Sequence, residues 1–170
     1  MGEGALDDLL NVLELRAPPA GAPKGDDKDL PKVSRIPAGM KSKWGAGTLV
    51  IPAPREVDEL MRAVPKRKLT TINEIRSALA TKHDADIACP ITTGIFAWLA
   101  ANAAAEESAA NRKSRVTPYW RTLKTGGILN EKYPGGVELQ KARLEAEGHK
   151  ITQKGKKHVV ADHEKKLFKF

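Results

Sequence analysis

The chain has one cysteine, Cys89, which stands immediately before Pro90, where the sequence pattern starts a helix. A helix N-terminus favours a thiolate, so a reactive, nucleophilic sulfur is one chemistry this position could supply. The closest histidine along the chain is His83, so no activating base is at hand in sequence. Free cysteine is also among the most commonly buried residue types, and a packed sulfur is the competing reading. A lone thiol can neither close an internal disulfide nor anchor a multi-thiolate metal site. The four histidines, His83, His149, His158 and His163, lack metal-ligand spacing, and the chain shows neither a phosphate-cradling glycine loop nor a hydrolase elbow. Neither metal nor cofactor is expected. What remains is an ordered set of aromatic and charged residues: Thr117-Pro118-Tyr119-Trp120-Arg121, Tyr133-Pro134-Gly135-Gly136, and Glu147-Gly148-His149.

Charge says what such residues could meet. The net charge of +8 is unevenly spread, with −1 over residues 1–111 and +9 over residues 112–170. A basic end of this kind is the footprint of a polyanion partner, because each lysine or arginine set against a phosphate releases condensed counterions. Nucleic acid is the leading candidate, with Arg112, Lys113, Arg115 and Lys124 as candidate phosphate contacts. The competing reading is a solvated basic face or frayed tail, since Lys165, Lys166 and Lys169 fall in the last six residues. No apolar run approaches the ~18–20 residues that cross a bilayer, and the start MGEGALDDLL is acidic where a secretory leader is basic. A cytoplasmic protein without a membrane partner is expected.

The 170 residues correspond to one domain or one domain with a tail. Leu6, Leu9, Leu10 and Leu13 give residues 4–15 one apolar helical face, a candidate tether for a protein partner. Ala17 to Pro31 reads as a flexible Pro/Gly linker, so residues 1–31 form an extension and residues 32–170 the folded domain. Thr48–Ile51 reads as a short extended segment. Pro54 suits a first helical position, and Val57, Leu60, Met61 and Val64 make an apolar stripe that Pro65 ends. Thr71 and Glu74 have capping-box spacing ahead of Ile75 and Leu79. A third helix is expected from Pro90 through Glu107, with Ile91, Ile95, Trp98, Leu99 and Asn102 or Ala103 along one side and Phe96 and Trp98, like Trp44, in the core. A last helix runs from about Gly136 to Glu147, closed by Gly148. The segments 149–153 and 156–160 flank Lys154-Gly155 as a β-hairpin. The fold class is mainly α with a small β-hairpin, a winged helix-turn-helix-like domain behind a flexible extension.

From Pro54 to His149 the order and spacing of these motifs resemble the C-terminal DNA-binding domain of the O6-alkylguanine-DNA alkyltransferase family and its alkyltransferase-like relatives. Tyr119-Trp120-Arg121 stands where that family has Cys-His-Arg, Tyr133 to Gly136 matches its Tyr-Ser-Gly-Gly turn, and Glu147-Gly148 matches the Glu-Gly that ends its helix. The resemblance implies a reaction in which the cysteine thiolate, activated by the histidine and a glutamate, attacks the alkyl carbon of an extruded guanine. Tyr119 offers instead a phenol of ordinary pKa near ~10, neutral at pH 7, and the indole of Trp120 cannot relay a proton. Relatives that lack the cysteine bind alkylated DNA without repairing it.

The resemblance therefore implies binding without alkyl transfer, with Tyr119, Trp120, Tyr133 and Glu147 as a base pocket for a modified guanine. It also places Arg121 as a brace or backbone contact, and Tyr133 at the pocket or on a phosphate. Thr92, Thr93 and Gly94, at the start of the third helix, let a backbone approach DNA closely, with tight packing on a neighbouring helix as the competing reading. No arginine stands near them to fill the space an extruded base would leave. The rival functions are a protein-interaction surface on the same helices and an alkyl acceptor at Cys89.

Overall fold

The computed structural model describes residues 29–110 and 116–170. The leucine stripe at 4–15, the linker through residue 28, and Arg112, Lys113 and Arg115 lie outside the described residues.

Strand β1 (Lys32–Arg35) leads through a short helix α1 (Lys41–Trp44) into β2 (Thr48–Ile51), whose pairing with β1 is antiparallel, Lys32 opposite Ile51 and Arg35 opposite Thr48. Helix α2 (Pro54–Ala63) starts where proline's fixed φ is already helical. The Glu56 side chain accepts the Ala53 amide at 3.0 Å there, and Pro65 follows the helix end. Val57, Met61 and Val64 are fully buried and Leu60 half-buried, as the stripe requires.

Strand β3 (Thr70–Thr71) runs into α3 (Ile72–Lys82), where the Thr71 hydroxyl accepts the Glu74 amide at 3.3 Å and leaves Ile75 and Leu79 facing the core. A turn and strand β4 (Ile87–Ala88), parallel to β2, precede α4 (Pro90–Ala109). Beyond residue 116, β5 (Thr122–Leu123) pairs in parallel with β3. Helix α5 (Gly136–Ala146), the hairpin β6 (Ile151–Lys154) and β7 (Lys157–Val160), and a short α6 (His163–Lys166) complete a mainly helical fold with, among the described residues, three small sheets.

The burial of α4 corrects the expected face. The helix packs on α2 and α3. Thr92, Thr93, Ile95, Phe96, Ala97, Ala100, Ala101 and Ala104 are buried, while Ile91 is 39% exposed and Trp98 and Leu99 only half-buried. Small side chains let neighbouring helices approach on two sides, so burial follows size rather than the spacing of the largest apolar groups. Trp44 is likewise half-buried, whereas Phe96 is a core residue as expected.

Gly148 ends α5 at φ +90°, with its amide on Glu145 O and the His149 amide on Leu144 O. The hairpin turn falls on Gly155-Lys156, one residue later than the sequence suggested, because Lys154 and Lys157 still pair.

Candidate nucleic-acid interface

The Tyr119–Arg121 turn is fastened before it presents anything. Thr117 ahead of it is buried; its hydroxyl donates to Asp58 Oδ1 at 2.6 Å and accepts from Arg62 Nε at 2.9 Å, which ties the turn to α2. Gln140, also buried, accepts the Asn130 amide at 2.8 Å and donates to Trp120 O at 3.2 Å. The turn and the loop after it are thereby held to α5.

Within this frame all four expected pocket residues come together. Tyr119 and Tyr133 meet edge to face with ring centres 5.5 Å apart, and Tyr119 meets Trp120 in the same way at 5.5 Å. The Tyr119 hydroxyl donates to Pro134 O at 3.2 Å. Trp120 Nε1 donates to Glu147 Oε1 at 3.0 Å. The cluster is nevertheless closed: Tyr119 is 2% and Tyr133 3% exposed, which corrects the expectation of an open base pocket. The large ring at position 119 fills the space, and the edge-to-face pairs contribute packing of their own. Burial pushes both phenols above the ordinary range, Tyr119 despite the nearby Arg143 cation and Tyr133 despite Asn130, a weak partner that leaves its hydroxyl without a well-formed hydrogen bond. Tyr133 is thus not on the open surface where a phosphate contact was expected.

Arg121 proves to be a brace. Its guanidinium meets Glu147 at 2.7–3.1 Å through Nε and Nη2 and donates to Val64 O at 2.8 Å through Nη1, joining the ends of α2 and α5. Burial pushes the Glu147 carboxyl up, but Arg121, Trp120 and the Arg67 amide outweigh it and hold the acid below its usual range. Arg143 lies over the Trp120 ring at 4.4 Å. Arg143 and Gln140 were missed in the sequence, although Gln140, Arg143, Leu144 and Glu147 stand at the spacing of one helix face.

The outward surface differs from the expected one. Thr92 and Thr93 are buried, and Thr93 Oγ1 donates to Cys89 O at 2.7 Å, so neither hydroxyl reaches a phosphate. A side chain added at Gly94 would meet open space. The open strip of α4 is therefore Ile91, Gly94, Trp98 and Asn102, spaced by three or four residues. Trp98 Nε1 donates to Lys132 O at 3.1 Å, and the same loop pairs Ile128 with Val159 and sends the Leu129 amide to His158 O at 2.9 Å. Residues 124–133 thus connect the α4 strip to the hairpin, where Lys154, Lys156 and Lys157 are exposed. Lys124 is exposed on that loop, paired with Glu131 at 3.1 Å; surface pairs of this kind are worth only about 0–1 kcal/mol and leave the cation available.

Cys89 is 6% exposed, packs with Ile36 and Leu49, and donates its amide to Val50 O. The packed reading of this sulfur is the one observed. Among the described residues no His, Cys, Asp or Glu group is arranged to hold a metal ion, and no helix is long and apolar enough to cross a membrane.

Two solved structures are similar to the chain. One is a crystal structure of S. pombe Atl1 in complex with damaged DNA containing O6-carboxymethylguanine, at TM-score 0.45, and the other is S. pombe ATL in complex with DNA, at TM-score 0.47. Each is 19% identical, over 68% of this chain and 94% of that chain. No family model and no curated protein matches the sequence.

Proposed function

We propose that this chain is a non-enzymatic binder of double-stranded DNA of winged helix-turn-helix type. Helices α3 and α4 form the helix-turn-helix, the strip Ile91, Gly94 and Trp98 faces a groove, and the β6–β7 hairpin is a wing whose lysines rest on phosphates. The observation that carries this reading is the run of loop 124–133 from Trp98 to Val159, which joins the strip to the lysine hairpin. Lys124 and Lys132 on that loop add to the basic rim.

The absence of turnover follows from the chemistry at position 119. A buried phenol that keeps its proton and donates a hydrogen bond to Pro134 O is a poor nucleophile. Sensing of modified guanine is the finer part of the proposal. An extruded base would have to displace the Tyr119 ring, so it binds only if the cluster opens, at the cost of the Tyr119–Tyr133 contact.

A duplex titration at several salt concentrations tests the main reading: affinity should fall steeply with salt. A duplex left unbound at low salt would instead favour a protein-interaction surface, for which exposed Ile91 and half-exposed Trp98 are the supporting observation. Equal affinity for plain and O6-methylguanine duplexes would remove the lesion-sensing part. Mass spectrometry after the same incubation should find Cys89 unmodified.

A further inference from the structure

Beside Glu147, a cleft is lined by Arg67, Glu145, Glu147, Gly148, His149 and Lys166. Three separate elements build it. The turn after α2 brings Arg67, in left-handed backbone at φ +69° and with its amide directed to Glu147 Oε2 at 3.4 Å. The end of α5 brings His149, and α6 brings Lys166, whose carbonyl accepts the Leu69 amide at 3.0 Å.

His149 is 6% exposed, and its Nε2 is buried without a hydrogen-bond partner. A buried polar atom left unpaired is costly, so a group that supplies the missing partner is favoured there. Burial, with Lys166 and Arg121 adding to it, outweighs the pull of Glu147 and holds the imidazole below its ordinary pKa, hence neutral at pH 7. A neutral ring can carry its proton on Nε2 and donate it. Two acids, Glu145 and Glu147, line the same cleft. Both Glu147 oxygens are occupied by Arg121, Trp120 and the Arg67 amide, and Glu145 is exposed to solvent.

We propose that this cleft is an oxyanion site for a phosphate group, with Arg67 and Lys166 as the cationic rim and with His149 as the interior donor once the cleft widens enough to expose its buried Nε2–H. The site shares no residue with the α4 strip and does not depend on the DNA-binding reading. The phosphate comes either from a DNA backbone or from a free phosphate compound.

The test is a titration of the full, isotopically labelled chain with inorganic phosphate at ionic strength balanced by chloride, followed at the His149 ring resonance. A saturable shift is expected, and Arg67→Gln with Lys166→Gln should weaken it at least tenfold. Both substituted side chains are exposed, so the fold survives the change. A His149 resonance that moves no more with phosphate than with chloride overturns the site, as does a double variant that titrates like the parent. A saturating short duplex then identifies the source. Loss of the phosphate response, with weaker duplex binding by the double variant, assigns the site to the DNA backbone; an unchanged response assigns it to a free phosphate. Failure of the duplex to bind leaves the phosphate arm intact and counts against the DNA-binding reading alone.

Discussion

Replacing Arg121 with alanine separates a brace from a DNA contact. In the folded chain the Glu147 side chain is only 7% exposed and receives Arg121 at 2.7 Å. Without that arginine the carboxylate keeps the Trp120 indole and the long Arg67 amide contact, and Val64 O loses its partner. Removing one member of a buried pair costs about 3–5 kcal/mol, mostly from the charge left behind. At ~2–4 °C per kcal/mol for a chain of this size, the melting temperature should fall by roughly 6–20 °C. Urea unfolding followed by tryptophan fluorescence reads the loss, and Arg121→Met combined with Glu147→Gln should cost clearly less than the sum of the single changes. The pH dependence carries the same sign. The folded acid lies below its usual range, so its stabilisation is complete above the unfolded carboxyl's ~4.3 and disappears as pH falls through the folded value. Glu147→Gln should flatten that acid limb. An Arg121→Ala variant within ~0.5 kcal/mol of the parent, the range of an ordinary surface change, but bound tenfold more weakly to duplex, would refute the bracing argument and restore Arg121 to the DNA surface.

Changing Lys154, Lys156 and Lys157 to Gln should make the slope of log affinity against log salt shallower by about 2.7, at ~0.9 per phosphate, and an unchanged slope excludes the hairpin from the interface. Tyr119→Ala should cost about 3–5 kcal/mol by chemical denaturation, as for other large buried rings. Tyr119→Phe, which removes only the bond to Pro134 O, should cost about 1 kcal/mol. Because burial raises both phenols, their stabilisation is present below the unfolded value near ~10 and lost as pH climbs through the folded one. Absorbance at alkaline pH should thus show tyrosine ionisation only together with unfolding. Gly135→Ala, at φ +80° and with the new carbon 2.6 Å from Leu139 Cβ, should destabilise by about 1–3 kcal/mol, and a neutral result would mean the Tyr133–Gly136 turn is softer than its geometry indicates.

The elements legible in the sequence are those whose signals are local. Pro54 and Pro65 bracket α2, Thr71 and Glu74 mark the start of α3, and Gly148 marks the end of α5. The β1–β2–β4 sheet was not legible beyond Thr48–Ile51. Lys32–Arg35 has one apolar residue, β4 and β3 have two residues each, and the parallel partners lie far apart in the chain. Helix α4 was found but turned the wrong way, because periodicity weights large side chains and this helix is packed through alanines and threonines. At the candidate site, the grouping of Tyr119, Trp120, Tyr133 and Glu147 followed from motif order. Its closure did not, since whether a ring fills a space or lines it depends on neighbours that adjoin only after folding.

Glu147 is buried against an indole N–H and a guanidinium, neither of which gives up a proton near neutral pH. A carboxylate kept buried and ionised costs desolvation, and it persists because Arg121 and Trp120 supply charge-assisted hydrogen bonds that offset that cost. Those bonds join the Tyr119 turn, the end of α2 through Val64, and the end of α5 into one unit. That unit in turn fixes the loop leading to Trp98 and the hairpin. The position of the outward surface therefore depends on the Arg121–Glu147 pair and the packed Tyr119 ring.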